Sequence, residues 1–146
     1  MNTSDINLSQ FTHALPIQIR YVDIDRQGHV NNATILSYFE MARVEFLNEV
    51  VGTGNDWDRR GLVIAHSEID YLQPVLIQDK IIAYSRISHI GTKSFKIENV
   101  LVKTYDGKDS ILCTASFVLV CMNYLEKQTI KIPPDWKEKF LKLVGK

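Results

Sequence analysis

DIDRQGHVNN, at residues 23–32, decides the fold of this chain together with the helical pattern that follows it. Its Asp, Gly and Asn residues favour a loop over a regular element, and Asn31 and Asn32 are good N-caps for a helix. Apolar residues then recur at intervals of four, three and four, with two leucines beside them: Ile35, Phe39, Ala42 and Phe46, then Leu36 and Leu47. This spacing predicts one long amphipathic helix of about 18 residues directly after the loop.

The segments on either side of this helix read as β-strands. Residues 16–22 alternate apolar and polar side chains, which predicts a first strand that ends near Asp23. The later extended segments are residues 62–72, 80–90, 93–105 and 110–122, followed by a short apolar stretch at 130–132 and a helix at 136–144 capped by Asp135. Because this order contains no βαβ alternation, it predicts an α+β fold in which a curved antiparallel sheet of about five strands packs on the long helix.

Composition indicates one ordinary domain. The chain has 146 residues, of which 45% are apolar, and its 17 Lys and Arg balance 17 Asp and Glu. We expect a single domain over residues 1–146, with a polar N-terminal tail at 1–14 and the C-terminal helix within 133–146. The zero net charge disfavours nucleic acid as a partner. No apolar run is long enough to span a membrane, and residues 1–10 do not resemble a signal peptide, so we expect a cytoplasmic protein.

The two cysteines are predicted to be free thiols. Cys113 and Cys121 lie eight residues apart in one predicted strand. An extended strand separates them by about 26 Å, whereas a disulfide needs Cα atoms within about 7 Å.

No generic catalytic or metal-binding motif is present. The chain lacks the G-x-S-x-G, H-E-x-x-H, C-x-x-C and Walker patterns. The loop matches three positions of a calcium loop at Asp23, Asp25 and Gly28, but Thr34 stands where the bidentate carboxylate is needed. His29 has no neighbouring residues that could complete a zinc site. We therefore predict no metal and no cofactor.

The loop nevertheless offers chemistry of its own. Backbone N–H groups at the start of a helix carry partial positive charge and can bind the oxygen of a polarised carbonyl. A carboxylate just upstream could attack that carbonyl or activate water, and Asp25 lies nearer those donors than Asp23 does. Asp25 could equally serve only as a cap.

The same residues resemble a known family. The stretch at 23–33, followed by YFEMARVEF at 38–46, resembles the signature of the 4-hydroxybenzoyl-CoA thioesterase family of hotdog-fold proteins. The resemblance implies a long helix wrapped by an antiparallel sheet, with active sites at the interface of a homodimer or homotetramer. It implies Asp25 as the catalytic carboxylate and the backbone N–H near Asn32 as the oxyanion donor. His29 either bonds substrate or water or is an ordinary loop side chain.

The resemblance also implies a coenzyme A subsite. The turn at 91–94 resembles the family's segment for the phosphates of coenzyme A, which makes Thr92, Lys93 and Ser94 candidate contacts, with Lys93 the charged one. The alternative is an ordinary solvated hairpin. Two arginines, Arg59 and Arg60, could serve the same end.

Residues on the long helix carry three further expectations. Glu40 and Arg43 are spaced to form a structural ion pair, although some relatives use a helix acid to position water. Ile35 stands where many relatives have tyrosine, which favours an aliphatic acyl group.

The predicted activity is that of an acyl-CoA thioesterase, which hydrolyses a thioester to a free carboxylic acid and coenzyme A. Three alternatives stay open. The chain could act on acyl carrier protein thioesters, it could be a hotdog dehydratase, or it could bind acyl-CoA without catalysis.

Overall fold

The computed structural model describes residues 3–144. Its strands and helices follow the predicted order, with short 3₁₀ turns at Thr3–Asp5, Leu8–Gln10 and Tyr21–Asp23. The elements are β1 (His13–Ile17), α1 (Asn32–Val51), β2 (Gly61–Tyr71), β3 (Ile81–Ile90), β4 (Ser94–Tyr105), β5 (Lys108–Asn123), β6 (Gln128–Thr129) and α2 (Pro134–Val144).

The strands form one antiparallel sheet in the order β1-β3-β4-β5-β2, and β6 pairs with β5. The consecutive strands β3, β4 and β5 are the predicted meander. One face of the sheet packs on α1 through aromatic and aliphatic side chains, as in the contact of Phe39 with Phe117 at 6.2 Å between ring centroids. This confirms the predicted α+β architecture.

Helix α1 forms because the loop caps its first turn and its apolar stripe covers the sheet. The Asn31 side chain accepts a hydrogen bond of 2.8 Å from the Ala33 N–H, which is the standard role of an N-cap. Helix α1 ends at Val51 and is followed by Gly52, whose φ of 88° is a conformation that favours glycine. The predicted stripe is buried, except that Leu36 is 41% exposed.

The first strand is displaced from its predicted position. It covers His13–Ile17 instead of residues 16–22, so the sheet begins inside the segment predicted to be a tail. The chain turns away at Tyr21–Asp23, because the Asp23 carboxylate bonds back to the backbone N–H of Arg20 at 3.0 Å. The alternation of apolar and polar residues at 16–22 therefore gave a wrong position for the first strand, and Tyr21 is 88% exposed instead of half-buried in a sheet.

The C-terminal helix also differs in its start. Helix α2 begins at Pro134, a residue suited to the first position of a helix. Asp135 lies in the first turn and pairs with Arg60, so it is not the predicted cap. Trp136 and Phe140 are fully buried, and Phe140 packs against Phe95 of the sheet.

Both cysteines are buried and free, as predicted. Burial raises the pKa of the Cys113 thiol to about 12 and that of the Cys121 thiol to about 11. Neither helix in the described part of the chain is long and apolar enough to cross a bilayer.

Strand β2 lies at the edge of the sheet. It pairs with β5 on one side, and no strand among residues 3–144 pairs with its other side. Its register places Ile64 and Tyr71 opposite buried residues of β5 that face α1. Both side chains are nevertheless more than 40% exposed. Helix α1 thus leaves the inner face of β2 only partly covered.

Candidate active site

The loop between β1 and α1 is closed on itself by backbone hydrogen bonds. Ile24 and Val30 form an isolated bridge, and the Asp25 N–H donates to the His29 carbonyl at 2.7 Å. Gly28 makes the return possible with a φ of 83°, a conformation that side-chain-bearing residues rarely adopt. This geometry holds Asp25 and His29 at adjacent positions ahead of α1.

Asp25 is half-buried and bonds only to the backbone. Its Oδ1 accepts hydrogen bonds from the Gln27 N–H at 2.9 Å and the His29 N–H at 3.2 Å. No ion pair or further hydrogen bond joins its side chain to any other residue in the range 3–144. The second carboxylate oxygen is therefore available to a substrate or a water molecule.

Asp23, the other acid of the loop, has a structural role. It is 2% exposed and accepts hydrogen bonds from the Tyr38 hydroxyl at 2.6 Å and from the Arg20 backbone and guanidinium at 3.0 Å each. Burial alone would raise the pKa of Asp23, but the bonds from Tyr38 and Arg20 bring that pKa below its usual range. Burial and the Asp23 carboxylate also raise the pKa of Tyr38. Asp23 thus ties the loop to α1.

The first turn of α1 leaves one backbone donor unpaired. The Asn31 side chain takes the Ala33 N–H, and the Asn31 carbonyl accepts from the N–H groups of Thr34 and Ile35 at 2.9 and 3.1 Å. The Asn32 N–H has no acceptor within the described part of the chain. It is the predicted oxyanion donor, and it lies at the positive end of the helix dipole.

These groups line one cavity of about 390 Å³ between the loop and the end of β2. The volume falls within the range of about 300–1,000 Å³ typical of small-molecule sites. The cavity brings together all three predicted catalytic residues with side chains from the segment after β2: Asp25, Gln27, His29, Val30, Asn31, Asn32, Ile35, Tyr71, Leu72, Gln73, Pro74 and Val75. The ring nitrogens of His29 make no hydrogen bond to another described residue.

Two wall residues received no chemical role from the sequence. The Tyr71 hydroxyl donates to the Asn32 carbonyl at 3.3 Å, and the Gln73 amide donates to the Ile111 carbonyl at 3.4 Å. Burial, with a smaller contribution from Cys113, raises the pKa of Tyr71. The sequence predicted the end of the β2 strand. It did not predict that Tyr71 contacts α1, because that contact depends on the strand register, which joins residues far apart in the chain.

The predicted coenzyme A contacts lie elsewhere in the chain. Ser94 pairs with Val120, whereas Tyr71 pairs with Cys113. Those two rows are seven positions apart along β5, or about 23 Å. The Lys93 amine donates to the Thr129 hydroxyl at 3.1 Å, and the Thr92 carbonyl accepts from the Ile132 N–H at 2.9 Å. Within a single chain, residues 92–94 therefore do not reach the cavity.

The other basic and acidic candidates are also placed differently from expectation. Arg59 pairs with Asp56 at 2.7 Å, and Arg60 pairs with Asp135 and lies over the Trp136 ring. Glu40 and Arg43 do not form the predicted salt bridge, although the charge of Glu40 acts on Arg43. The Arg43 guanidinium instead lies over the Phe117 ring, 4.9 Å from its centroid.

Potential metal ligands do not cluster. Within residues 3–144, no group of three His, Cys, Asp or Glu side chains is close enough to hold a metal ion.

Comparison with known proteins defines the class. The family model of the thioesterase-like superfamily matches residues 19–140. That range includes the loop, α1 and all the long strands that follow. The chain therefore belongs to the thioesterase-like superfamily, and its α+β fold is the hotdog fold.

Two curated relatives carry this family's activity in their names. An acyl-acyl carrier protein thioesterase from Arabidopsis thaliana is 25% identical over 136 residues, which is 92% of this chain and 70% of the relative. The long-chain acyl-CoA thioesterase FadM from Escherichia coli is 23% identical over 131 residues, which is 88% of this chain and 96% of the relative.

Solved structures agree on the architecture. A thioesterase from Thermus thermophilus, complexed with coenzyme A and Zn, superposes with a TM-score of 0.79 at 28% identity, covering 94% of this chain and 97% of that one. A mutant 4-hydroxybenzoyl-CoA thioesterase bound to 4-hydroxybenzoyl-CoA has a TM-score of 0.78 at 18% identity, covering 86% and 96% of the two chains. At that identity the second likeness concerns the fold alone.

Proposed function

We propose that this protein is an acyl-CoA thioesterase of the 4-hydroxybenzoyl-CoA thioesterase type, and that the 390 Å³ cavity is its active site. One observation carries the proposal: the unpaired Asn32 N–H and the accessible carboxylate of Asp25 line the same cavity. Acyl transfer to water has two requirements. One is a donor for the developing oxyanion, and the other is a group that either attacks the carbonyl or activates a water molecule.

The reaction begins with the thioester carbonyl oxygen against the Asn32 N–H. The helix N-terminus stabilises the negative charge that develops there, and one well-placed donor of this kind contributes roughly 10²–10³ in rate. Asp25 then follows one of two routes. As nucleophile it displaces the thiolate and forms an acyl-enzyme anhydride that water hydrolyses; as general base it removes a proton from the water that attacks. Either route consumes one water and yields a carboxylic acid and coenzyme A.

Half of the residues that line the cavity are polar, and its aliphatic members favour an aliphatic acyl group. Ile35 lies at the start of α1, where a tyrosine would add a hydroxyl to the cavity, and it is 3% exposed. Val75 and Leu72 extend the same apolar wall. His29 is placed to bond the substrate or a water molecule, because it lines the cavity and its ring nitrogens have no hydrogen-bond partner within residues 3–144.

A homodimer would complete the site. The unpaired edge of β2 is an open template for a second copy. Antiparallel pairing of two β2 strands places the Tyr71 end of one beside the Gly61 end of the other, which is the end nearer the 91–94 turn. Lys93 of the partner subunit would then approach the cavity of the first subunit, although it lies far from the cavity of its own chain. In this arrangement Thr92, Lys93 and Ser94 bind the phosphates of coenzyme A across the interface.

The decisive experiment measures thiol release from short, long and aromatic acyl-CoAs by the wild type and Asp25→Asn. We expect turnover by the wild type and a loss of at least about 100-fold in the variant, with acyl-CoA binding retained. Asn keeps the Oδ1 acceptor that closes the loop, so folding is preserved. If both proteins bind acyl-CoA and neither hydrolyses it, the chain is a binding module and Asp25 serves only to close the loop.

Acyl carrier protein thioesters are the second candidate substrate class. The Arabidopsis relative, named as an acyl-acyl carrier protein thioesterase, favours this alternative. Measuring kcat/KM for one acyl group on both carriers separates the two. A higher value with coenzyme A supports the main proposal, and a higher value with the carrier protein replaces it.

A further inference from the structure

A second and larger cleft lies further along α1. It measures about 510 Å³ and runs between the middle of α1 and the first half of β2. Most of its wall is apolar, and it contains two charged side chains: it is lined by Glu40, Arg43, Val44, Leu47, Asn48, Trp57, Gly61, Leu62, Val63, Ile64, Leu119 and Tyr124. A mostly apolar cleft with a few polar groups is typical of a ligand site.

Arg43 is the unusual member of this wall. Its side chain is only 8% exposed, and its Nη1 atom is buried without a hydrogen-bond partner. Among the residues that the structure describes, none forms an ion pair with it. Burial lowers the pKa of Arg43, and the negative charge of Glu40 partly opposes that effect. A buried cationic donor left unsatisfied costs free energy, so an acceptor that reaches the Arg43 guanidinium would stabilise this arrangement.

The cleft lies in line with the candidate active site. Arg43 follows Asn32 by eleven positions on α1, which corresponds to about 16 Å along the helix axis. The inner face of β2 runs beside that path from Tyr71 to Leu62, and Ile69 and Ile64 supply apolar surface between them. The distance of about 16 Å is within the length of a long extended acyl chain whose carbonyl meets the Asn32 N–H.

We propose that the cleft binds the distal part of a long acyl chain, and that Arg43 donates a hydrogen bond to a hydroxyl or keto oxygen carried there. The inference rests on the proposed thioesterase function and names its substrate class, a long-chain acyl thioester oxygenated far from the thioester. A neutral oxygen fits better than a carboxylate, because Glu40 lines the same cleft and repels a second negative charge. Arg43 is thus a specificity-determining residue.

The test compares acyl-CoAs of equal chain length, one saturated and the others bearing a hydroxyl at successively more distant carbons. The wild type should prefer the distal hydroxyl in kcat/KM, and Arg43→Met should lose that preference by roughly 10- to 100-fold, which is the worth of a hydrogen bond to a charged group. Arg43→Lys should keep part of it. The matched control is Arg86→Met, which removes a guanidinium that pairs with Glu98 and does not line the cleft.

A parallel titration of the same acyl-CoAs against Asp25→Asn measures the preference without turnover. If the wild type releases no thiol but the titration shows the hydroxyl preference, the thioesterase proposal fails and the Arg43 inference survives. Arg43→Met could instead affect the saturated and hydroxylated acyl-CoAs equally and convert the protein to a monomer on size-exclusion chromatography. The missing acceptor would then belong to a second copy. That result, or an unchanged preference in a folded variant, overturns the inference.

Discussion

The hydroxyl of Tyr38 donates a hydrogen bond of 2.6 Å to the Oδ2 of Asp23, fifteen residues earlier in the chain. Both groups are buried, and the same oxygen also accepts the backbone N–H of Arg20. This contact joins α1 to the loop that carries Asp25, so the position of the candidate carboxylate relative to the helix N-terminus depends on it. An acid of the loop is thereby used for structure, and its neighbour two residues later is left for chemistry.

Tyr38→Phe should destabilise the protein by about 1.5–3 kcal/mol, since it removes a hydrogen bond to a buried charge. The matched control is Tyr105→Phe, because the Tyr105 ring is 80% exposed and its hydroxyl bonds no other described residue. That control should shift stability by less than about 0.5 kcal/mol. Urea denaturation at neutral pH measures both. Equal effects of the two variants would show that the Tyr38 bond contributes nothing specific.

The pH dependence of stability should carry the signature of Asp23. Its pKa is lower when folded than when unfolded, so the unfolded chain binds the proton first as pH falls. The stabilisation is present above the ordinary carboxyl pKa of about 3.9 and is lost as pH drops through the lower, folded value. Urea midpoints of the wild type and Asp23→Asn, measured from neutral pH into this acidic window, should converge. Parallel curves would assign the acid lability to other carboxyls.

The two acids of the loop should separate function from stability. Asp23→Asn should unfold at lower urea concentration, because it replaces a carboxylate that accepts bonds from Tyr38 and Arg20. Asp25→Asn should keep its urea midpoint and lose turnover by at least about 100-fold. Steady-state thiol release and equilibrium denaturation on the same preparations provide the comparison. Loss of stability in both variants, with equal loss of activity, would contradict the division of roles.

The cap of α1 should matter for catalysis as well as for folding. Asn31→Ala removes the acceptor for the Ala33 N–H and should cost about 1 kcal/mol of stability. It should also lower kcat, because the Asn32 N–H then loses its fixed direction. Asn31→Ser keeps a neutral acceptor and should restore most of both properties. A variant with normal kcat despite the lost stability would mean that the Asn32 N–H does not bind the oxyanion.

The open edge of β2 should mediate self-association. Ile64→Lys places a charge on the partly covered inner face of that strand and should convert a dimer to a monomer. Leu125→Lys, at a 57% exposed loop position away from the edge, is the control. Light scattering coupled to size-exclusion chromatography gives the mass. A wild type that is monomeric at micromolar concentration would remove the shared-site arrangement from the proposed function.

Local features of the chain were predictable. The N-cap, the apolar period of α1, the meander of β3 to β5 and the free thiols all follow from residues close in sequence. Not every local prediction held: the Asp135 cap and the Glu40–Arg43 ion pair are absent. The first strand is also displaced, because Tyr21 and Val22 continue the alternation of a strand although the Asp23 side chain turns the backbone at Arg20. A side-chain bond of this kind competes with a propensity pattern and leaves no periodic trace.

The sequence by itself determined the α+β order, the helix that starts at the loop, and the presence of two acids and a capped N-terminus side by side. Only the tertiary structure decided which acid is buried, because that depends on Tyr38 reaching back from the helix. It also decided that Tyr71 meets Asn32, that residues 92–94 lie at the other end of the sheet, and that the Nη1 atom of Arg43 has no hydrogen-bond acceptor among the described residues. Helix periods and caps act within a few residues and can be read locally, whereas strand register and burial join distant segments through packing.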